Sequence, residues 1–419
     1  MRKQWKGILY GACITSLIGM TTGCGASATG SSSSNGSQGQ DGKEVNIAVV
    51  VPLTGPNADA GTQSANAAKL AAEDINKAGG IKSLGGAKIN LIVTDSTGQP
   101  NDAATVTDKI LSGNKVSALF GMDLSPLTVA AMPVMARHHV PMVTASISES
   151  ITAAKNPYVF EIAPKASKFS EAQINFLKML NDKYHMGIKK AALLYTNDPY
   201  GTSTAKSTKK LLTKAGLDVV LDSAYPPSIT DATPLISKVK ESGAQVLFPV
   251  SYVPDAEAIL SAIASQNLHI LTIGGGAGFI WPTIEKAIGS KVNGLTSVAS
   301  WNWDSKNITQ NTDLVKATEE YKQKYGTYMP EHAGEAYAAI YTIADAIDQA
   351  KSADPQKVRD ELAKIDVTTG GATLMQPGKV QFDNTGYNAP TNAVMIQWQD
   401  NVPKTVFPLD QAATKLQKP

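Results

Sequence analysis

The side chains best suited to covalent or metal chemistry are scarce in this chain of 419 residues. Its two cysteines, Cys13 and Cys24, both precede residue 25, so the remaining sequence offers no thiol for a disulfide, a zinc site or a nucleophile. Five histidines leave few candidates for proton transfer. These counts argue against thiol and structural-zinc chemistry and leave little for proton transfer, and we expect no cofactor.

Short catalytic motifs are also missing from the sequence. It contains no phosphate-binding P-loop, no Gly-x-Ser-x-Gly nucleophile turn and no His-Glu-x-x-His zinc motif. The glycine-rich segment 274–279 departs from the dinucleotide-binding pattern because its sixth position is Phe279. His332 and Glu335 share one face of a predicted helix, but no further histidine is near, so we expect a surface or packing role and no metal site.

The amino terminus predicts export from the cell. Arg2, Lys3 and Lys6 form a positively charged start, and residues 7–20 are mostly apolar but too few for a typical membrane-spanning helix. This pattern is typical of a signal peptide. Without those three basic residues the formal charge falls from +2 to −1, so the remaining chain has no basic excess that would indicate a nucleic-acid partner.

Cys24 gives this terminus a chemistry of its own. A small residue, Gly23, precedes it as in a bacterial lipobox, where the cysteine is lipidated and becomes the new amino terminus, although Thr21 replaces the usual leucine. The alternative is an ordinary signal peptide with an incidental cysteine. We predict a lipoprotein signal peptide at 1–23 and a flexible, lipid-anchored linker at 24–43, rich in Ser and Gly, at the extracellular face of the membrane.

The rest of the chain alternates apolar strand-like runs with amphipathic helical stretches. With 42% hydrophobic and 18% charged residues, the chain can form a large core. One alternating series begins at residue 45 and a second at residue 169. Alternation of this kind is typical of parallel sheets covered by helices on both faces. We therefore predict an α/β fold with two doubly wound, parallel-sheet lobes.

Several stretches, taken in order, resemble the type 1 periplasmic solute-binding proteins of ABC transporters, in the branched-chain amino-acid (Leu/Ile/Val) binding family. The resemblance covers about residues 45–398. Its motifs are AVVVPLTGP at 48–56, AAEDINKAGGI at 71–81, DPYG at 198–201, YPPSITD at 225–231 and GKVQFDNTG at 378–386.

This resemblance implies two lobes that close on a ligand in the manner of a Venus flytrap. The N-terminal lobe would comprise 44–163 plus 298–369, and the C-terminal lobe 164–297 plus 370–419. Three hinge segments would join the lobes, and they are expected near 162–164, 296–300 and 368–372. The expected partners are a small-molecule ligand, an ABC permease and, through the lipid, the membrane; the protein itself would be a monomer.

Two loops of the first lobe are predicted to bind the ligand, because each follows a strand whose carboxyl end faces the cleft. The first contains Asp123 and Ser125, and Ser125 lies near a helix start whose free amides suit a carboxylate. The second contains Ser146 and Ser148, and the resemblance implies that Ser148 contacts both the carboxylate and the amine of the ligand. Simple helix capping by Ser125 and Ser148 is the alternative.

The second lobe matches the family in its aromatic residues and departs from it in one acid. The resemblance implies that Tyr200 and Tyr252 line the cleft. It also implies a carboxylate that pairs with the ligand's ammonium, but Gly276 stands at that position, and Ala60 replaces an aromatic residue of the family. Either another acid compensates, with Asp123 the nearest candidate, or the ligand has no ammonium.

The sequence therefore predicts a solute-binding lipoprotein of amino-acid transport, with an aliphatic or branched-chain amino acid as the first ligand class. Amides, urea-like compounds and aromatic carboxylates are the alternatives within binding, and a ligand-sensing receptor subunit is the alternative role. Three tryptophans near the cleft would either form core or cage a larger ligand; they are Trp281, Trp301 and Trp303.

Overall fold

A computed structural model describes residues 44–417 of the chain. The predicted signal peptide, the lipidation site Cys24 and the linker lie outside the described residues. None of the helices between residues 44 and 417 combines the length and the apolar character that crossing a membrane requires.

Strands and helices alternate through most of this part of the chain. The strands are β1 Glu44–Val51, β2 Lys88–Asp95, β3 Ala118–Gly121, β4 Met142–Thr144, β5 Val159–Glu161, β6 Lys190–Thr196, β7 Asp218–Tyr225, β8 Val246–Val250, β9 Leu271–Gly274, β10 Thr296–Ala299, β11 Asp366–Val367, β12 Val380–Gln381, β13 Val394–Gln399 and β14 Val402–Phe407. The α-helices are α1 Ala58–Lys77, α2 Pro100–Gly113, α3 Ser125–His138, α4 Glu149–Ala153, α5 Ala166–Tyr184, α6 Pro199–Lys214, α7 Thr233–Ser242, α8 Val253–Ser265, α9 Pro282–Ile288, α10 Lys306–Thr309, α11 Thr312–Tyr325, α12 Glu331–Ala350 and α13 Pro355–Leu362. Short 3-10 helices occupy Lys82–Leu84, Gly289–Val292 and Gly371–Leu374.

The first sheet has five strands in the order β2-β1-β3-β4-β5, and all its pairs are parallel. The central strand β1 is buried from Ile47 to Val51, as an apolar run covered on both faces must be. Helix α1 packs against α12 on one side of this sheet, and small alanine side chains such as Ala68 and Ala71 permit the close approach.

The second sheet has seven strands in the order β14-β13-β10-β9-β8-β6-β7. Strands β6 to β10 pair in parallel, whereas β13 and β14 add an antiparallel edge. The predicted α/β class with parallel-dominated sheets is confirmed.

Sequence periodicity located most of these elements but missed four strands, β5, β10, β11 and β14. Each is short or lies at the antiparallel edge, and β10 begins with two hydroxyl residues, Thr296 and Ser297. The segment 378–386 forms only the two-residue strand β12 and a turn. The division of the chain into lobes at the stated residues stays a prediction; β10, which spans one predicted boundary, lies in the second sheet.

Candidate functional site

A small cavity is lined by loops that follow strands of both sheets at their carboxyl ends. Loops after β3 and β4 contribute from the first sheet, and segments after β6, β8 and β9 contribute from the second. Helices α5 and α12 complete it. The lining residues are Asp123, Ser125, Ala145, Ile147, Phe169, Tyr200, Tyr252, Ala277, Glu331, His332 and Glu335. The predicted position of the ligand, beyond the strand ends, thus coincides with an actual cavity.

Asp123 lies on the loop between β3 and α3 and has a left-handed backbone conformation, with φ 65°. Its side chain is 4% exposed, and neither carboxylate oxygen has a hydrogen-bond partner within residues 44–417. Burial raises the pKa of Asp123 to about 7, and the nearby Ser64 hydroxyl opposes the shift. A buried carboxyl without partners is costly, so this side chain is poised for a donor that the described protein does not supply.

Two further carboxyls come from the first turns of helix α12. Glu331 accepts a hydrogen bond from the backbone amide of Ser300, and burial raises the pKa of Glu331 to about 7. Burial, and then the neighbouring Glu331, raise the pKa of Glu335 well above its usual range, with Asp123 adding to the effect. In the described residues Glu335 Oε2 is a buried atom with no hydrogen-bond partner. Asp123, Glu331 and Glu335 are called the acidic wall below.

His332 does not neutralise this wall. Burial lowers the pKa of His332 to about 4, so the imidazole is uncharged at neutral pH and its 3.9 Å contact with Glu335 is no ion pair. Its ring packs on Trp281, with 5.2 Å between the centroids. Across residues 44–417 no group of three or more His, Asp or Glu side chains is arranged to hold a metal ion.

Phe169, Tyr200 and Tyr252 give the aromatic part of the lining, called the aromatic wall below. The Tyr200 hydroxyl donates to the Gly275 carbonyl at 2.7 Å, which fixes the ring. The rings of Tyr200 and Tyr252 lie 5.1 Å apart at an interplanar angle of 41°, a tilted aromatic pair. These rings give the cavity its shape but carry no charge, because burial raises the pKa of both phenols well above the usual range.

Gly276 lies behind the aromatic wall, and Ala277 takes the lining position. The backbone of Gly276 is left-handed, with φ +93°, and the Gly276 amide donates to the Ser297 hydroxyl at 3.2 Å. A Cβ atom here would lie 2.7 Å from Cε2 of Phe169, closer than packed atoms tolerate. The site therefore has no room for a carboxylate at the position where the family resemblance implies one.

The three serines predicted to hold the ligand have different surroundings. Ser125 is the first residue of α3 and lines the cavity. Ser146 shares a hydrogen bond of 2.8 Å with Thr128. Ser148 caps helix α4 and donates to the Pro199 carbonyl at 2.9 Å, a contact between the two sheets' loops. Ser125, Asp123, Tyr200 and Tyr252 are thus brought together around the cavity, whereas Ser146, Ser148 and Gly276 are not among its lining residues.

Sequence reasoning missed the contribution of α12. His332 and Glu335 were expected at a surface or in packing, but both are buried and line the cavity. The sequence did contain a signal for this contribution. Glu331 and Glu335 lie one helical turn apart, and the other residues of the helix up to Ile343 are apolar except His332 and Thr342. Ionisable side chains in such a helix require a buried partner or a binding site.

Trp281 and Trp301 contact the first turn of helix α12 from outside the cavity, whereas Trp303 lies elsewhere. Trp281 and Trp301 are buried core, and Trp301 Nε1 donates to the Glu331 carbonyl at 2.8 Å. Trp303 is not among the lining residues and packs under Lys404, whose Nζ lies 4.3 Å from its ring centroid. None of the three lines the cavity within the described chain, so the alternative of an aromatic cage is not what this structure forms.

A cavity lined by loops that follow strands of both sheets is the kind of place where small molecules bind. A family model for periplasmic binding proteins matches residues 44–403, and the chain belongs to that family, as its motifs indicated. Members of this family are substrate-binding proteins of transporters and are not enzymes.

The relatives and structural neighbours agree with this assignment. A Leu/Ile/Val-binding protein homolog 7 of Brucella suis is 29% identical over 90% of this chain and 94% of its own length. The fold matches the substrate-binding protein LivJ of Streptococcus pneumoniae, solved with isoleucine, at a TM-score of 0.75 and 22% identity over 87% of this chain and 99% of that one. It also matches a solute-binding protein of Rhodopseudomonas palustris, solved with 3,4-dihydroxybenzoic acid, at 0.72 and 18% identity over 89% and 98%.

Proposed function

We propose that this protein captures a small ligand that carries an ammonium group, with amino acids as the first class to test, and delivers it to an ABC importer. One observation carries the proposal: buried carboxylate oxygens of Asp123 and Glu335 face a cavity without hydrogen-bond partners in the described chain. An ammonium supplies the positive charge and the N–H donors that such oxygens need.

The electrostatics of the cavity favour this choice. No lysine or arginine is among the lining residues of the part of the chain that the structure describes, so a ligand's cation meets carboxyls and no competing base. The acidic wall also provides the compensating acid that Gly276 cannot. Burying an ammonium without a partner costs roughly several kcal/mol. The presence of a carboxylate that pairs with the ammonium therefore decides whether such a ligand binds.

Contacts between loops of the two sheets support closure around the ligand. Ser148 donates to the Pro199 carbonyl, and the backbone amide of Glu149 donates to the Ser203 hydroxyl at 3.0 Å. Both contacts join α4 to α6 beside the cavity. We infer that the lobes part at the predicted hinge segments to admit the ligand and that these contacts re-form on closing.

An aromatic carboxylate is the second candidate ligand, and the aromatic wall is the observation that favours it. A structural neighbour was solved with 3,4-dihydroxybenzoic acid. The acidic wall opposes this candidate, because a ligand carboxylate would join three buried carboxyls in the described cavity with no cation to balance them.

A thermal-shift screen of the purified chain tests the proposal. The panel contains the twenty amino acids, their des-amino acids, small amides, urea and aromatic carboxylates. A ligand at a hundred times its Kd adds about 2.7 kcal/mol to stability. Stabilisation by compounds with an amine supports the proposal, whereas stabilisation only by compounds without one refutes it.

The anchoring proposal has its own test. We propose that Cys24 carries a diacyl lipid that holds the protein at the extracellular face of the membrane. The variant Cys24→Ala should release the protein from the membrane fraction and abolish incorporation of labelled palmitate. Palmitate labelling that persists in the variant would refute lipidation at this cysteine.

A further inference from the structure

The charges around the cavity do not match a neutral amino acid. Asp123, Glu331 and Glu335 line it, and His332 is the nitrogen base among the lining residues of 44–417. An amino acid brings one ammonium and one carboxylate, so its net charge is zero. It would satisfy part of the acidic wall but add a further buried anion, and like charges that share a small site repel each other.

The groups available to a ligand carboxylate are correspondingly few. Of the predicted serines only Ser125 lines the cavity in the described structure, whereas Ser146 bonds Thr128 and Ser148 bonds the Pro199 carbonyl. The uncharged lining groups that lack partners within residues 44–417 are the Tyr252 hydroxyl and His332 Nδ1. Ser125 opens helix α3, whose amino-terminal end favours an anion. Asp123 lies two residues before it in the chain and lines the same cavity.

We propose that the ligand binds as a net cation, either a small amine without a carboxylate or an amino acid with a second, basic nitrogen. This inference rests on the proposed function, which requires the ammonium, and goes beyond it by making the carboxylate dispensable. Asp123 and Glu335 receive the nitrogen's N–H donors through the oxygens that lack partners in the described chain.

The remaining surface suits the rest of such a molecule. Ala145, Ile147 and Ala277 provide apolar contacts for a short hydrocarbon chain. The faces of Tyr200 and Tyr252 lie within the same lining and attract cations that lie over them.

Ligands that share one carbon skeleton separate the two ideas. We would measure Kd values of the purified full chain by calorimetry at pH 7.5 for 3-methylbutylamine, leucine and 4-methylpentanoate, which carry the amine alone, both groups, and the carboxylate alone. Lysine and norleucine form a second pair that differs by one ammonium. We expect 3-methylbutylamine to bind at least tenfold more tightly than leucine, and lysine at least tenfold more tightly than norleucine.

Each outcome of these measurements is decisive. Leucine and norleucine binding as tightly as the cations, or more tightly, would overturn the inference and leave the proposed function standing. Tightest binding of 4-methylpentanoate, or binding of none of the five compounds, would overturn both. If only lysine binds more tightly than its comparison compound, the inference fails for amines without a carboxylate. If only 3-methylbutylamine does so, the inference fails for basic amino acids.

Isosteric variants test which carboxyls recognise the cation. Asp123→Asn and Glu335→Gln keep shape but remove charge, and we expect them to weaken the tighter cation at least thirtyfold and tenfold. Glu161→Gln is the matched control, because Glu161 is also fully buried with both oxygens lacking partners in residues 44–417, yet it lies outside the cavity lining. It should change Kd less than twofold. Equal losses in all three variants, or none in the first two, would overturn the assignment.

Discussion

The acidic wall and the aromatic wall face the same cavity but differ in how complete they are without a ligand. Asp123 and Glu335 keep buried carboxylate oxygens that no donor in the described chain satisfies. In the aromatic wall, the Tyr200 hydroxyl already has its acceptor and its ring a neighbour in Tyr252. The Tyr252 hydroxyl is the one polar side-chain atom of this wall that lacks a partner within residues 44–417. One wall is therefore organised around a missing charge, and the other around a shape.

This difference separates affinity from fit. A wall with unmet hydrogen bonds gains most from a ligand that supplies them, because the cost of burying those groups was incurred on folding. A wall of rings contributes apolar area and excludes water whatever charge the ligand carries. The acidic wall can therefore supply the partner of a ligand ammonium, while the aromatic wall keeps the two tyrosines that the family resemblance implies.

The largest expected effect comes from adding a side chain behind the aromatic wall. Gly276→Ala should lower the free energy of unfolding by about 2–4 kcal/mol, from the left-handed φ and the clash with Phe169 together. Gly294→Ala is the control, because Gly294 has nearly the same φ, +91°, and nothing within 4 Å of its Cβ position in the described structure. It should cost about 1–2 kcal/mol.

Urea denaturation of the two glycine variants makes the comparison. Equal costs would show that Phe169 yields readily and that the aromatic wall has room for an acid after all. A larger cost at Gly276 would confirm that an ammonium partner has to come from elsewhere. A glutamate at this position begins with the same Cβ, so the same steric argument applies to it.

Much of the frame of the site could be predicted from the sequence. The turn between β3 and α3 was located because a buried apolar strand meets a helix there, and the predicted bounds of α3, Ser125 to His138, are those observed. That junction placed Asp123 and Ser125 at a strand end, which is a local inference. Tyr200 and Tyr252 came from motif resemblance, and the structure places both in the lining.

The acidic wall could not be assembled in the same way. Glu331 and Glu335 approach Asp123 only through the packing of α12 against the first sheet's side of the molecule, and no local pattern records that approach. Ser148 shows the converse: its position after β4 indicated a ligand contact, but the Pro199 carbonyl, far along the chain, takes its hydrogen bond. Long-range packing decides which polar groups stay free.

The second prediction uses pH to act on one wall alone. Asp123 and Glu331 have pKa values raised to about 7, so both take up protons as the pH falls from 7.5 to 5.5. His332, whose pKa is lowered to about 4, is largely uncharged over this range. A cation needs an ionised carboxyl, so its Kd should rise by about 10–30-fold over these two units.

The empty protein should show the opposite trend. A carboxyl whose folded pKa exceeds its unfolded value favours folding below the unfolded pKa, and this stability is lost as the pH rises through about 7. The Tm without ligand should thus fall from pH 5.5 to 7.5 while the shift produced by the cation grows. Asp123→Asn should flatten both trends, and trends that persist unchanged in this variant would contradict the assignment.

A smaller effect is expected where the two walls are joined. Ser148→Ala removes the hydrogen bond to the Pro199 carbonyl and should weaken ligand binding by about 0.5–1.5 kcal/mol, since closure loses one contact. Ser150→Ala leaves that bond in place but removes the 2.9 Å hydrogen bond between the Ser150 and Ser148 hydroxyls, so it measures the effect of losing that neighbour alone. A loss well beyond this range, or one confined to ligands with a carboxylate, would return Ser148 to direct ligand recognition.

The smallest effect on binding is expected from the phenols of the aromatic wall. Tyr200→Phe and Tyr252→Phe keep both rings and therefore the ring contacts with the ligand. The Kd for the tightest ligand should change less than about threefold, which is about 0.7 kcal/mol. Stability should separate the two, because only Tyr200 gives up a hydrogen bond, to Gly275, and should lose about 1 kcal/mol. Tyr252 has no such partner in the described chain, so removing its hydroxyl should be neutral or stabilising. A tenfold loss of affinity in Tyr252→Phe would show that this hydroxyl contacts the ligand, and would mean that the two walls share recognition of its polar groups.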